Sequence, residues 1–330
     1  MPTTVKLISS GSPVRPTMVE DVRVSFCATN LNTVDRLPRS LASVTGLGNA
    51  LGVPFEVVVA DGPSHDGARV LLEERARSNP EFRLVAHSER NRGYGRRRAF
   101  EASSGTTIVP FDTSIEYNPS YAAILRSYLH LGTERMLFSE ICALRRRTVV
   151  AVGGWRDLIG GEDIDLYARV VSQFGVIAYP MPLADSQSRS LPAFERQMRY
   201  VRGTFLARMR RIYAVQRDQL IGSNFRVRDL MGFNRRKPIG RRAALRAFFT
   251  LAAAGARLRP IRPFVLDRNN YLYFREALLD SILRGDWRAL GAEGPPPRLL
   301  LTDDETVYLE RASRRWSEYT HAEPPILGRK

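Results

Sequence analysis

Four acidic residues of this 330-residue chain lie where carboxylates can do chemistry. Asp61 and Asp112 each follow an apolar, strand-like run, and the adjacent Glu162 and Asp163 follow two glycines at a predicted helix start. A carboxylate can take a proton from a reacting hydroxyl or hold a divalent cation. Alternatively, Asp61 suits a helix N-cap or an Asx turn, and the acidic pair suits a helix start favoured by the macrodipole. The elements that position these residues bear on the choice between the two interpretations.

Strand-like and helix-like segments alternate through the first half of the chain. VRVSFCA (22–28) is an apolar run followed by helical spacing, and residues 55–78 repeat the unit as strand, turn and amphipathic helix. Short strands are predicted at 83–86 and 106–112, with a helix over 96–103 between them. Such alternation predicts a mostly parallel sheet covered by helices on both faces. Ligands bind beyond the carboxyl ends of these strands, so Asp61 and Asp112 are expected to project into one crevice.

Four segments follow one another in order along the chain, at residues 25–44, 57–68, 91–114 and 153–170. Together they resemble the inverting family 2 of glycosyltransferases with the GT-A fold. Residues 25–44 resemble its opening strand, loop and helix, and VVVADGPSHDGA (57–68) its second strand with an aspartate. NRGYGRRRAFEASSGTTIVPFDTS (91–114) resembles the stretch from its glycine-rich loop to the strand ending in a DxD motif, and residues 153–170 its acceptor-side helix. We therefore expect an α/β, Rossmann-like GT-A fold.

The resemblance implies transfer of a sugar, with inversion, from a nucleotide diphosphate sugar to an acceptor hydroxyl. Asp163 would be the general base, and Glu162 would orient the acceptor or tune its neighbour, because adjacent carboxylates push their pKa values apart. Trp155 would contact the acceptor. The nucleotide of the donor is expected to be UDP, with GDP as the alternative. The resemblance places the donor against Ala28, Thr29, Asn30, Asn32, Asp61, Arg92, Arg98 and Asp112.

The DxD motif is altered, because it reads Asp112-Thr113-Ser114 here. The resemblance implies Mn²⁺ or Mg²⁺ held by Asp112, Ser114 and Asp185, with the Ser114 hydroxyl a weaker ligand than the missing carboxylate. Arginines could instead neutralise part of the leaving diphosphate. The candidates are Arg92, Arg96, Arg97 and Arg98. At least two of these four fit a solvated basic helix face equally well.

A five-residue stretch farther along, RQMRY (196–200), resembles the QxxRW signature of polysaccharide-building family members. The resemblance implies that Arg199 contacts the diphosphate and that Tyr200 packs against the acceptor. One turn of a basic amphipathic helix explains the same residues equally well.

The net charge of +16 is concentrated in one part of the chain. Residues 189–268 contain 20 Lys and Arg against 4 Asp and Glu, whereas the rest is nearly balanced. We therefore divide the chain into a tail (1–20), a catalytic core (21–188), an arginine-rich amphipathic segment (189–268) and a helical C-terminal region (269–330). This segment shows helical spacing over 194–213 and an apolar stretch at 243–258 that is too short to span a bilayer. Both features suit either binding to an anionic membrane surface or packing on the catalytic core.

Several protein classes are disfavoured by the sequence. No signal-peptide pattern or run of eighteen apolar residues is present, and two cysteines, Cys27 and Cys142, are too few for a disulfide framework. We therefore expect a cytoplasmic protein, with peripheral attachment at the inner face of the membrane as an option. The expected acceptor is a glycan or a lipid-linked molecule. The alternatives are an inactive sugar-binding scaffold and a nucleic-acid-binding protein. The basic stretch suits the latter, but no nucleic-acid motif is found and no nucleic acid is expected as a partner.

Overall fold

The computed structural model describes residues 23–179, 204–234, 238–264, 270–291, 300–301 and 328–329. Its strands are β1 (Val24–Asn30), β2 (Phe55–Asp61), β3 (Phe82–Ala86), β4 (Thr107–Pro110), β5 (Met136–Phe138), β6 (Leu144–Arg145), β7 (Val176–Ala178), β8 (Leu300–Leu301) and β9 (Gly328–Arg329). Its helices are α1 (Leu37–Leu51), α2 (Ala68–Ser78), α3 (Arg92–Ala102), α4 (Tyr121–Leu131), α5 (Arg146–Ala151), α6 (Glu162–Phe174), α7 (Phe205–Ser223), α8 (Val227–Phe233), α9 (Ile239–Arg257) and α10 (Asn270–Arg284). A 3₁₀ helix covers Asp286–Leu290.

The central sheet has five strands in the order β3-β2-β1-β4-β6, and only the pairing of β4 with β6 is antiparallel. The parallel register sets Asn30, the last residue of β1, beside Asp61, the last residue of β2. Strands β5 and β7 form a second parallel pair, as do β8 and β9. The prediction of a mostly parallel α/β sheet is confirmed.

Both faces of the sheet are covered because successive strand residues point to opposite sides. Phe26 joins a core cluster with Leu41 and Val44 of α1, whereas its neighbour Cys27 joins a second cluster with Ala99 of α3. All seven residues of β2 are buried, as expected for a parallel strand between two helical layers.

The described part of the chain after β7 is mainly helical, as predicted. Helix α7 packs against α6 and α9. Phe274 of α10 belongs to the second core cluster, which also contains Cys27 and Ala99. Residues 194–203 of the helix predicted over 194–213 lie outside the described residues. The described helix α7 extends ten residues beyond 213 and ends where Asn224 takes a left-handed conformation. The apolar periodicity continues through Leu220 and Ile221, both buried, which explains the greater length.

Several predicted features lie outside the described residues: the tail (1–20), the domain boundaries at 188 and 268, and most of the C-terminal region beyond residue 291. Within the described part of the chain, no helix is both long and apolar enough to cross a bilayer.

Candidate active site

A cavity of about 310 Å³ opens at the carboxyl ends of β1 and β4. The loops after strands β1 to β4, the first turns of α3 and one side of α7 line it. Parallel α/β sheets bind ligands at this edge. The lining contains two acidic residues, Asp112 and Glu89, and four cations: Arg90, Arg92, Arg96 and Arg211.

The floor of the cavity is a buried polar network centred on Asn30. Its side-chain amide donates to Asp61 Oδ1 at 2.7 Å, and its Oδ1 accepts hydrogen bonds from the hydroxyls of Thr33 and Thr113. Asp61 is fully buried, and its Oδ2 accepts from Arg69 Nε. Asp61 therefore fixes Asn30 from behind, and its own carboxylate does not line the cavity.

Asp112 lies two residues beyond β4, at the wall of the cavity. Its backbone N–H donates to Tyr117 Oη at 2.8 Å, and its carbonyl accepts from Ser40 Oγ at 3.0 Å. Ser114 Oγ donates to Asp112 Oδ1 at 3.1 Å. These contacts hold the loop after β4 so that Asp112 and Ser114 face the same space.

The acidic pair begins α6, next to the cavity. Asp163 is about a quarter exposed, and each of its carboxylate oxygens has one partner. Trp155 Nε1 donates to Oδ1 at 2.9 Å, and an Arg96 N–H donates to Oδ2 at 3.3 Å. Because each carboxylate oxygen offers two lone pairs, Asp163 retains acceptor capacity on its exposed edge.

Arg96 connects Asp163 to the sheet. Its guanidinium is buried and also donates to the carbonyls of Phe111, at 2.6 Å, and Cys27, at 3.3 Å. Burial alone would lower the pKa of Arg96, but the surrounding charges, Asp163 foremost, hold that pKa above its usual range. A fixed cation therefore stands between the strand ends and the carboxylate of Asp163.

Glu162 is buried and forms an ion pair with Arg92, whose Nε lies 3.2 Å from Oε1. Burial raises the pKa of Glu162, and the charge of Asp163 raises it further against the opposing effect of Arg92. The pKa of Arg92 is raised, chiefly by Glu162. About half of the Arg92 side chain remains exposed to the cavity side of the domain.

Helix α7 closes one side of the cavity with Arg211, Ile212 and Val215. Its docking depends on a close backbone contact, because a Cβ on Gly222 would lie 2.3 Å from the carbonyl oxygen of Gly161. Gly161 has a φ of +75°, a conformation that favours glycine.

A buried carboxylate fixes α7 to the same loop. Asp218 is fully buried, and its Oδ2 accepts from the backbone N–H of Ile159 at 3.0 Å. Arg217 and Arg259 neutralise it at 2.8 and 3.6 Å. The glycines before Glu162 thus serve the packing of α7 on the start of α6.

The structure brings six of the sequence-predicted positions to the cavity wall: Thr29, Asn30, Arg92, Arg96, Asp112 and Ser114. The predicted pair Glu162 and Asp163 adjoins it through its arginine partners. Asp185, Arg199 and Tyr200 lie outside the described residues.

Five predicted contact residues do not line the cavity. Ala28 of β1 and Asp61 of β2 are buried within the sheet. Trp155 is buried against Phe100, and its indole N–H donates to Asp163. Asn32 accepts from the His65 backbone and shapes the adjoining loop, whereas Arg98 pairs with Glu101 on the outer side of α3. Ligand contact by Trp155 and Arg98 stays a prediction.

Other lining residues are not identified by the sequence. His87, Glu89 and Arg90 lie in the loop between β3 and α3, which carries no motif in the sequence apart from its position after a strand. The sequence places Arg211 only on a basic helix face. Its helical spacing gives no signal that this face meets the strand ends.

Residues 25–131 match the sequence model of the family described as glycosyl transferase family 2. This segment is a family 2 glycosyltransferase domain. It contains β1 to β4 and most of the cavity lining, including Asn30, Arg92 and Asp112. The expectation of a family 2 enzyme with a mostly parallel α/β core is thereby confirmed for this domain. No curated protein matches the chain.

Solved structures of glycosyltransferases are similar to this chain at low identity. The mannosyltransferase PcManGT from Pyrobaculum calidifontis, in complex with GDP-Man and Mn²⁺, is 15% identical over 94% of this chain and 85% of its own, with a TM-score of 0.44. Glucosyl-3-phosphoglycerate synthase from Mycobacterium tuberculosis, with Mn²⁺, UDP and phosphoglyceric acid, is 16% identical over 63% and 85%, with a TM-score of 0.44. S. aureus TarS 1–349 is 12% identical over 82% and 81%, with a TM-score of 0.43.

Proposed function

We propose that the chain is an inverting glycosyltransferase that moves a sugar from a nucleotide diphosphate sugar to an acceptor hydroxyl, with Asp163 as general base. One observation carries the proposal: Trp155 and Arg96 hold the carboxylate of Asp163 beside a cavity that is rich in arginine and contains Asp112. A proton acceptor for the incoming hydroxyl and positive charge for a leaving diphosphate are the two requirements of this reaction.

The donor is placed along the carboxyl ends of β1 and β4. Thr29, Asn30 and Gly62 offer a narrow polar wall for the nucleoside, with Asp61 fixing that wall from below. The diphosphate lies between Asp112 and the arginines. We propose a UDP-sugar as the donor, with a GDP-sugar as the alternative that the binding experiment below distinguishes.

Asp163 acts on the acceptor because its exposed edge is free to take the hydroxyl proton. Glu162 is buried behind Arg92 and acts through that arginine, which it keeps charged and in place. In an inverting displacement the acceptor attacks from the side opposite the leaving group, so the base and the diphosphate must lie on different sides of the sugar.

The oxygen atoms that Asp112 and Ser114 offer suit a divalent cation that is bound largely by the substrate. Mg²⁺ is commonly held by one or two carboxylates together with substrate phosphates and water. Asp112 supplies one carboxylate and Ser114 Oγ an adjacent oxygen, and the described residues contain no cluster of three or more acidic, histidine or cysteine ligands. Mn²⁺ or Mg²⁺, when bound, would neutralise charge on the leaving diphosphate. Asp112 would hold it, and the arginines would supply the remaining positive charge.

The acceptor is proposed to be a glycan or a lipid-linked molecule, reached at an anionic membrane surface. Helix α9 has a continuous exposed face that is mostly apolar, with arginines within it. Leu258, directly after the helix, is also exposed, and the exposed residues of α9 itself include Ile239, Arg241, Ala243, Ala244, Arg246, Ala247, Thr250, Leu251, Ala254 and Arg257. A helix of this kind lies in the bilayer interface, where the charge of residues 189–268 complements anionic lipid. We propose peripheral attachment at the inner face of the cell membrane.

Thermal-shift measurements with UDP- and GDP-sugars, with and without Mn²⁺ or Mg²⁺, test the proposal. A ligand that binds the native state raises its melting temperature by mass action, so the donor is expected to give a concentration-dependent rise. Donor turnover must then accompany binding. Binding without turnover or hydrolysis would favour an inactive sugar-binding scaffold, and a salt-sensitive shift with DNA or RNA alone would favour a nucleic-acid-binding protein.

A further inference from the structure

Arg211 is a cavity-lining cation contributed by α7, outside the family 2 segment. One of its N–H groups donates to the carbonyl oxygen of Arg90 at 2.6 Å. Among the described residues, no carboxylate lies within ion-pair distance of it. Arg92 and Arg96, by contrast, have Glu162 and Asp163 as partners. The positive charge of Arg211 is therefore not balanced by a direct partner within this part of the protein.

A second uncompensated cation stands beside it. The Arg90 guanidinium lies 3.0 Å from His65 Nε2, and none of the described carboxylates is paired with it. Burial lowers the pKa of Arg211, and the charges of Arg92 and Arg90 lower it further against the weaker opposing effects of Asp218 and Glu162. Arg211 is half-buried and Arg90 is exposed, so two like charges line the same side of the cavity, and a bound anion would relieve their repulsion.

We propose that Arg211 and Arg90 form a phosphate-binding subsite at the α7 side of the cavity. The inference rests on the proposed function and adds to it, because it assigns part of the anion recognition to a helix outside the family 2 segment. The phosphate belongs either to the diphosphate of the donor or to a phosphorylated acceptor. Both present anionic phosphate oxygens, which a planar guanidinium binds with two parallel N–H groups.

The position of Arg211 depends on the docking of α7 as well as on its hydrogen bond to the carbonyl of Arg90. Asp218 and Gly222 fix the helix to Ile159 and Gly161, at the start of α6. The subsite therefore forms only when the helical segment is in place, which couples anion binding to the docking of α7.

Titration calorimetry on the full chain, with inorganic pyrophosphate, inorganic phosphate, UDP and GDP, tests the subsite. The R211Q variant removes the charge, and R210Q is the matched control, since Arg210 is exposed on the same helix and does not line the cavity. Hydrogen bonds to charged groups predict that R211Q weakens pyrophosphate binding about 10- to 100-fold while R210Q leaves it unchanged. R211K should recover part of the affinity, because it restores charge without the planar pair of donors.

The ligand series identifies the source of the phosphate. Parallel losses for pyrophosphate and for UDP or GDP assign the subsite to the donor, whereas a loss for both inorganic anions with unchanged nucleotide affinity assigns it to the acceptor. Equal affinities of R211Q and R210Q for all four ligands overturn the proposal. If the wild-type protein binds pyrophosphate through Arg211 but turns over no nucleotide sugar, the subsite stands and the proposed function fails.

Discussion

The contact between Gly222 of α7 and Gly161 before α6 predicts a coupled effect on stability and ligand binding. In the Gly222→Ala variant the new Cβ would lie 2.3 Å from the carbonyl oxygen of Gly161, whereas ordinary contacts begin at 3.4 Å. The two backbones must therefore separate by about 1 Å. Overpacking of this kind costs about 1–3 kcal/mol, and the higher helix propensity of alanine offsets roughly 0.5–1 kcal/mol.

The displacement also reaches the cavity, because α7 carries Arg211, Ile212 and Val215 into its wall. The hydrogen bond from Ile159 N–H to Asp218, 3.0 Å long, would lengthen as the helix moves. We expect Gly222→Ala to lower the free energy of unfolding by up to about 2.5 kcal/mol and to weaken pyrophosphate and nucleotide binding together.

Denaturant unfolding and titration calorimetry measure the two effects on the same preparations. Gly46→Ala is the matched control, because Gly46 lies on α1 and a Cβ added there would have no heavy atom within 4 Å. That control should gain roughly 0.5–1 kcal/mol and bind ligands as the wild-type protein does. A Gly222→Ala protein with the stability and ligand affinity of Gly46→Ala would refute the close docking of α7.

Two further predictions concern the cation and the membrane. Asp112→Ala should weaken nucleotide-sugar binding more in Mn²⁺ than in EDTA, because the Asp112 carboxylate acts through the cation. If EDTA changes neither binding nor turnover of the wild-type protein, the arginines alone neutralise the leaving diphosphate. Leu251→Glu, on the exposed face of α9, should reduce co-sedimentation with vesicles containing anionic lipid, whereas Val150→Glu, similarly exposed on α5, should not. Equal pelleting with neutral vesicles at high salt would indicate hydrophobic insertion, and no pelleting would remove the membrane proposal.

The sheet and its polar edge could be predicted because their signals are local. Apolar runs at 24–30 and 55–61 define neighbouring parallel strands, and parallel pairing alone brings Asn30 beside Asp61. The burial of Asp61 could not be foreseen, since it depends on Arg69, in the first turn of the next helix. A carboxylate at a strand end looks the same in sequence whether it faces a ligand or a buried guanidinium.

The contribution of α7 could not be predicted for a different reason. Arg211 meets the carbonyl of Arg90 across 121 positions of chain, and nothing in a basic helical pattern specifies which face will pack. The contact depends on Gly161 and Gly222, whose missing side chains leave no periodic signal. The hydrogen bond from Trp155 N–H to Asp163 could not be predicted from the sequence either, since it depends on how the two side chains are oriented in the fold.

The measurement that tests the central proposal most directly is single-turnover transfer by Asp163→Asn, with donor affinity measured alongside. Because the base acts on the acceptor hydroxyl and hardly on the bound nucleotide, transfer should fall by a factor of about 10²–10⁴ while donor affinity stays near that of the wild-type protein. The asparagine keeps the shape and one acceptor for Trp155, so a loss of donor binding is not expected. Transfer at a rate near that of the wild-type protein would contradict the assignment of Asp163 as the base.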